Sequence, residues 1–167
     1  MATTILLTGR PGVGKTTVIR QIAEELGEAA GGFYTSEIRE HGQRKGFKLV
    51  TLDGQKATLA HIDIEAGPRV SKYRVNLPAL DEVGVAAIRG ALERAQYVII
   101  DEIGKMELFS ERFREAVKEA VQSDKPVIGT VMSGRNSWVD GLKNLPQVTV
   151  LEAVSYTHLT LPTNREV

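Results

Sequence analysis

Apolar residues recur along this chain in two rhythms, and the switches between them mark its elements. Residues 3–8, TTILLT, are β-branched or apolar throughout, as in a buried strand. From Gly14 the spacing lengthens: Val18, Ile22 and Leu26 repeat every four residues with Ile19 on the same face. That period predicts a helix stopping at Gly27. Two strand-like stretches follow, GGFYTSEIRE and RKGFKLVTLD, and the intervening HGQ makes them a β-hairpin that turns at Gly42. Residues 54–76 carry no sustained period, although GPRVSKYRVN alternates around Val70, Tyr73 and Val75 as an edge strand or an ordered loop would. A helix is predicted from about Leu80 to Ala95, with Leu80, Val83, Ala87, Ala91 and Leu92 on one side and Gly84 and Gly90 weakening it.

The second half is more regular. YVIID, 97–101, is an uninterrupted apolar run closed by acids, the pattern of a central parallel strand. Ser110 suits an N-cap, and Phe113, Ala116, Val117, Ala120 and Val121 then fall on one helical stripe. KPVIGTVM reads as another buried strand, WVDGLKNL as a short helix and QVTVLEA as a last strand. Strands alternating with helices predict a layered α/β fold with a mainly parallel central sheet and an inserted β-hairpin.

Bulk composition narrows the function. The 167 residues suit one domain, and 21 Lys and Arg balance 21 Asp and Glu, which speaks against a nucleic-acid partner. With no cysteine, disulfides and cysteine-ligated metal centres are excluded. His41, His61 and His158 lack ligand spacing and read as surface residues. No apolar run approaches a membrane span, and MATTILLTG lacks the basic start of a signal peptide, so a cytoplasmic protein with no membrane association is expected.

The candidate chemistry begins in TGRPGVGKTT, 8–17, where Gly9, Gly14, Lys15 and Thr16 fit the P-loop pattern G-x-x-x-x-G-K-[ST]. The motif falls between a strand ending at Thr8 and a helix starting near Gly14, as its mechanism requires. Glycines let backbone N–H groups curl around phosphate oxygens, and the helix N-terminus adds its positive end. Lys15 would then reach the β- and γ-phosphates, and the Thr16 hydroxyl would ligate Mg2+. The plainer reading is a glycine-rich turn with Lys15 solvated. Asp101 follows four apolar strand residues, well placed to hold Mg2+ through water, and Glu102 beside it could polarise a water for attack on the γ-phosphorus. Taken without the P-loop, the same pair reads equally as a solvated strand end. Lys105 either neutralises transferring phosphate or pairs with Glu102 or Glu107 in solvent. Arg44, Arg69 and Arg135 sit in weakly patterned stretches where a phosphate-clamping arginine can lie.

On LLTGRPGVGKTT, GGFYTSEIREHGQRKGFKLVTLDG, GPRVSKYRVNL, VIIDEIGKMELFS, PVIGTV and VDGLKNLPQVTVLE, the sequence resembles the small P-loop nucleoside-triphosphatase family. The resemblance implies a three-layer P-loop NTPase fold of the catalytic-glutamate class. It also implies Mg2+-dependent hydrolysis of nucleoside triphosphates to diphosphate and phosphate, tolerant of the base. With no arginine finger identified, turnover is expected to be slow, and a monomer is expected. By position, Gly9, Arg10, Pro11, Gly12, Val13, Gly14, Lys15, Thr16 and Thr17 would bind nucleotide. Val98, Ile99, Ile100, Asp101, Glu102, Ile103, Gly104 and Lys105 would line the site, Thr16 and Asp101 serving Mg2+ and Glu102 the water, with Lys15 and Glu102 catalytic. The domain is read as 1–154, because SYTHLTLPTNREV, 155–167, lacks the polar turn and closing helix of the family and stands as an atypical, non-native tail.

Two other classes stay open: a small P-loop kinase with a metabolite or nucleotide acceptor, and a nucleotide-dependent switch. No stretch concentrates arginines as a kinase lid would, and no Asn-Lys-x-Asp base reader is present.

Overall fold

The computed structural model describes residues 2–10 and 14–153. The tail expectation for 155–167 and Pro11, Gly12 and Val13 of the loop lie outside the described residues. The elements in chain order are β1 (Thr4–Thr8), α1 (Lys15–Leu26), β2 (Ala30–Glu40), β3 (Gln43–Thr51), β4 (Lys56–His61), β5 (Arg69–Val70) and β6 (Tyr73–Val75). Then come α2 (Leu77–Ala79), a π-helical segment (Leu80–Gly84), α3 (Val85–Arg94), β7 (Tyr97–Ile103), α4 (Glu111–Val121), β8 (Val127–Val131), α5 (Ser137–Lys143) and β9 (Val148–Glu152).

One sheet holds all these strands in the order β5-β6-β4-β3-β2-β7-β8-β1-β9. From β2 to β9 every pairing is parallel, and from β2 outward to β5 every pairing is antiparallel. The parallel core therefore carries an antiparallel wing larger than the single hairpin the sequence predicts. The hairpin itself is there: β2 and β3 turn at His41–Gly42, both at positive φ. Its extension adds β4, in a stretch where no period is legible, and then β5 and β6, where the alternation around Val70, Tyr73 and Val75 reads as an edge strand and β5 forms the edge of the sheet.

Adjacent residues of the core strands face opposite layers, as a period of two demands. Leu7 and Ile99 pack with Ile19 of α1 on one face. Leu6, Val98 and Ile100 pack with Ile88 of α3 and Phe113 of α4 on the other, which gives three layers. Within α1 only Ile19 is fully buried, so its predicted apolar face is mostly half-exposed. The helix after β6 starts at Leu77, earlier than its period suggests, and buries Leu80, Gly84, Val85, Ile88 and Ala91. Val83, Ala87 and Leu92 are only partly covered, because the π-helical segment rotates the face that meets the sheet. The stripe on α4 is as the sequence predicts, with all five residues buried, and the Ser110 hydroxyl accepts the Phe113 N–H at 3.0 Å. Among the described residues no helix is long and apolar enough to cross a membrane.

Phe113 anchors this packing: it is fully buried and meets the Phe33 ring edge-on, centroids 6.1 Å apart. Phe113→Ala should lower unfolding free energy by about 3–5 kcal/mol in a urea titration. A loss under about 1 kcal/mol would show that the core closes without the ring.

Candidate active site

The strand following β1 in space is β8, and β7 lies on its other side; Leu6, Gly129 and Ile100 stand in register across the three. That alignment brings the loop after β1 and the end of β7 to the same carboxyl edge of the parallel core, where ligands bind in open α/β sheets. Gly14 caps α1 at φ 96°, ψ 17°, a left-handed conformation that favours glycine, and it swings Lys15 into the first helical position. Among the described residues no side chain caps α1, so the N–H groups of its first turn are left to another partner.

The Lys15 ammonium, 11% exposed, donates to the Gly9 carbonyl at 3.1 Å and lies 3.5 Å from Glu102 Oε2. The two residues are 87 apart in sequence. Asp101, 1% exposed, receives the Thr130 hydroxyl at 2.6 Å on Oδ1 and the Thr35 N–H at 3.4 Å on Oδ2. The Thr16 hydroxyl also bonds this carboxylate. Burial pushes the Asp101 carboxyl up to about 6, with the Glu102 charge adding to it, while hydrogen bonds from Thr130, Thr16 and Thr35 pull it back. The Asp101–Glu102 peptide is cis.

A third acid completes the cluster. Glu107 is buried, and that burial, then the Glu102 and Asp101 charges, hold its carboxyl well above the usual range despite N–H groups of Glu107 and Gly104 bonding it. Gly104 is what lets the acids meet. A Cβ there would stand 3.0 Å from Glu102 Oε1 and 3.2 Å from Glu107 Oε1.

Lys15, Thr16, Glu102 and Glu107 line a cleft of about 1050 Å³, and Asp101, buried, is not among its lining residues. Gly9, Gly14, Lys15, Thr16 and Thr17 form one wall, Thr35, Ser36, Glu37, Arg44 and Phe47 of the wing another, and Met132 to Arg135 close it beyond β8. A second cavity, about 770 Å³, lies between α1, α3 and the start of β2, away from Lys15, Asp101 and Glu102. Only the first cavity joins a glycine-rich loop, an ammonium and acids. Hydroxyl and carboxylate oxygens beside an ammonium suit a phosphate anion carried with a hard divalent cation.

A family model described as NTPase matches residues 4–162. The chain belongs to that family. Within this NTPase family, the nucleoside-triphosphatase THEP1 of Thermotoga petrophila is 51% identical over 148 residues, covering 89% of this chain and 82% of that protein. THEP1 of Methanocaldococcus jannaschii is 45% identical over 150 residues, covering 88% and 86%. Among solved structures, the crystal structure of THEP1 from the hyperthermophile Aquifex aeolicus superposes with TM-score 0.83 at 33% identity, covering 91% of this chain and 90% of that one. The solution structure of a human cancer-related nucleoside triphosphatase gives 0.74 at 36% identity, covering 89% and 87%. The layered α/β architecture is thus that of the NTPase family.

Not every residue assigned to the site by position reaches it. Val98, Ile99, Ile100 and Ile103 are fully buried in β7 with their side chains in the core, so they support the site from beneath and do not border the cleft. Glu102, Gly104 and Lys105 do border it. Arg10 is exposed and stands outside the cleft wall. Lys105 borders the cleft, as its site role requires; the alternative, a pairing with Glu102 or Glu107 in solvent, does not fit a Glu102 that pairs with Lys15 and a Glu107 that is buried. His61 also departs from its surface reading: its side chain is 16% exposed and 3.7 Å from the Asp63 carboxylate. Thr35 and Thr130 carried no signal of their own, since a threonine in a strand looks like any β-branched residue until its neighbour strand is known.

The buried acids set a pH dependence of the nucleotide-free protein. Folded-state values of Asp101 and Glu107 lie above unfolded ones, so between them the folded chain holds more protons. The contribution of these two acids to stability is therefore fully present below about pH 4.5, is lost as pH rises through the folded values, and levels off above them; Glu37, held low, contributes in the opposite direction. In chelator, Glu107→Gln should be more stable than the parent at pH 8 and should flatten the decline from pH 5. Denaturant midpoints across that range test this, and a parent curve that rises with pH would contradict it.

Proposed function

We propose that this protein hydrolyses nucleoside triphosphates to nucleoside diphosphate and phosphate, slowly, with Mg2+ and with broad tolerance of the base. The observation carrying this reading is the meeting of Lys15, Glu102 and the Thr16–Asp101 contact at one cleft beside Gly9 and Gly14. Gly9, Gly14, Thr16 and Thr17 give the phosphates a bed of backbone N–H groups and hydroxyls at the start of α1.

Mg2+ fits the donors present. Asp101 is a carboxylate forced into a nearly dry position with raised proton affinity, and Thr16 adds a hydroxyl oxygen beside it. Thr16 and Asp101 would hold the ion, which when bound neutralises charge between the β- and γ-phosphates. The rest falls to the chain's own side chains. Without nucleotide Lys15 is held by Glu102; an incoming γ-phosphate offers the ammonium a stronger anion and releases the carboxylate. Glu102, one-third exposed, then faces the cleft as a hydrogen-bond acceptor for water. The water oxygen attacks the γ-phosphorus, the bond to the β,γ-bridging oxygen breaks, the diphosphate leaves, and the water proton passes to Glu102. The reading differs from a kinase in the acceptor: Glu102 would take its proton from water rather than from a bound alcohol.

Phosphate release from ATP, GTP, CTP and UTP, with Mg2+ or with EDTA, tests the proposal. Parent enzyme should release phosphate from all four only with metal. Lys15→Ala should lose nucleotide binding, whereas Glu102→Gln should keep it and slow release by roughly 10²–10⁴-fold. A Glu102→Gln variant as fast as the parent removes the carboxylate's role, and release that needs an added alcohol or nucleotide acceptor points to the kinase.

A further inference from the structure

Arg44 stands on β3, in the antiparallel wing, yet it borders the same cleft as Lys15, Thr16 and Glu102. Its guanidinium is braced on three strands. Nε donates to the Tyr73 hydroxyl of β6 at 2.9 Å, and Nη1 donates to the Glu37 carboxylate of β2 at 3.0 Å. The guanidinium carbon lies 5.1 Å from the Phe47 ring centroid and 5.9 Å from that of Tyr73. Those rings meet edge-on at 5.2 Å, and Tyr73 is buried. Nη2 has no hydrogen-bond partner among the described residues, and the side chain is 42% exposed. A guanidinium fixed on two sides with one nitrogen free loses little freedom when an anion arrives.

Sheet order decides which phosphate it would meet. The wing joins the core through β2, next to β7, so it lies on the Asp101–Glu102 side of β1 and away from β9. A triphosphate whose inner phosphates sit on the loop after β1, with its last phosphorus facing Glu102, directs that end toward the wing. Other arginines are less suited. Among the described residues Arg135, beyond β8, has no such bracing, and Arg69 bonds the Ser71 carbonyl outside the cleft wall. Arg20 borders the cleft from α1 with its guanidinium 4.9 Å from the Tyr34 ring centroid, and among the described residues it has no partner like Tyr73 or Glu37.

We propose that Arg44 is a catalytic arginine supplied in cis, whose free Nη2 donates to a γ-phosphate oxygen and offsets the charge that grows there as the bond to the leaving diphosphate breaks. This rests on the hydrolase reading of the cleft. It is compatible with slow turnover, since P-loop enzymes with a built-in arginine still turn over at about 10⁻² s⁻¹. The competing account is architectural: Arg44 as a clip tying β6 to the hairpin.

Arg44→Lys decides between them, because lysine keeps the charge and covers the rings with its stem but loses the fork. Three measurements are made on parent and variant: ADP affinity with Mg2+, the rate constant for phosphate release at saturating ATP, and capture of ADP with aluminium fluoride. The variant is expected to melt at the parent temperature and bind ADP within about threefold. Its release should be at least about 100-fold slower, and it should lose aluminium fluoride capture. A smaller fall in rate, retained capture, or a loss of ADP affinity as large as the loss of rate overturns the proposal. If Arg44→Lys unfolds, the clip account holds. Arg44→Ala with added guanidinium ion gives a second reading, recovered turnover supporting a chemical role and none opposing it. A parent that binds ADP but never releases phosphate defeats the hydrolase reading itself, whereas an active parent with an equally active variant defeats only the arginine.

Discussion

The burial of one carboxylate is the constraint from which the rest of the site follows. Asp101 ends the apolar run of β7 with 1% of its surface exposed, a place where an isolated charge would be very costly. It is tolerated because separate elements converge on it: Thr130 from β8, the Thr35 N–H from β2 and Thr16 from α1. Each bond also fixes something else. Thr16 sets the register of α1 against the sheet, Thr130 ties the two central strands at their carboxyl ends, and Thr35 marks where β2 leaves the parallel core for the wing. A group that costs stability in isolation thus becomes the point at which the chain's distant parts agree on one geometry.

Around that point the molecule divides its labour. The parallel core supplies a rigid floor, its strands filled with Val98, Ile99 and Ile100 on both faces and covered by α1 on one side and α3 and α4 on the other. The wing supplies the far wall of the cleft. Its aromatic pair and the Glu37–Arg44–Tyr73 chain of contacts tie its strands together, and the helical stretch after β6 packs against β3 and β4. The floor holds what must not move, and the wall presents groups to whatever the floor has bound.

Much of this is legible in the residues because it is written locally. The phosphate loop is a contiguous pattern, the α4 stripe has a strict helical period with its cap at Ser110, and the core strands are short unbroken apolar runs. What cannot be read depends on pairing across long separations. Residues 56–61 form a strand only because β3 lies beside them, with Phe47 opposite Ala60 and Leu49 opposite Ala57. The face of the helix after β6 is set by close packing at Gly84, where an added Cβ would press 3.1 Å from Leu80 and 3.7 Å from Leu49. The burial of Glu107 follows from the bend at Gly104, not from its acidic neighbourhood, which looks solvated on paper. Position within a motif also overstates contact: a strand under a binding loop belongs to the pattern while every one of its apolar side chains faces the core.

On the wing side the sheet ends at β5, and only Arg69 and Val70 form that strand. An outermost strand offers a row of unpaired backbone groups to any other extended chain, and long flat edges recruit one another into aggregates. Two residues provide almost no template. The next strand in, β6, carries Arg74, whose guanidinium holds the Gly67 carbonyl, and Lys72 lies over the Tyr73 ring at the turn between the two. The border is therefore both short and cationic, and a second copy approaching it edge-on would meet like charge before it found a hydrogen bond. A border so short and so charged gives an approaching strand little to pair with.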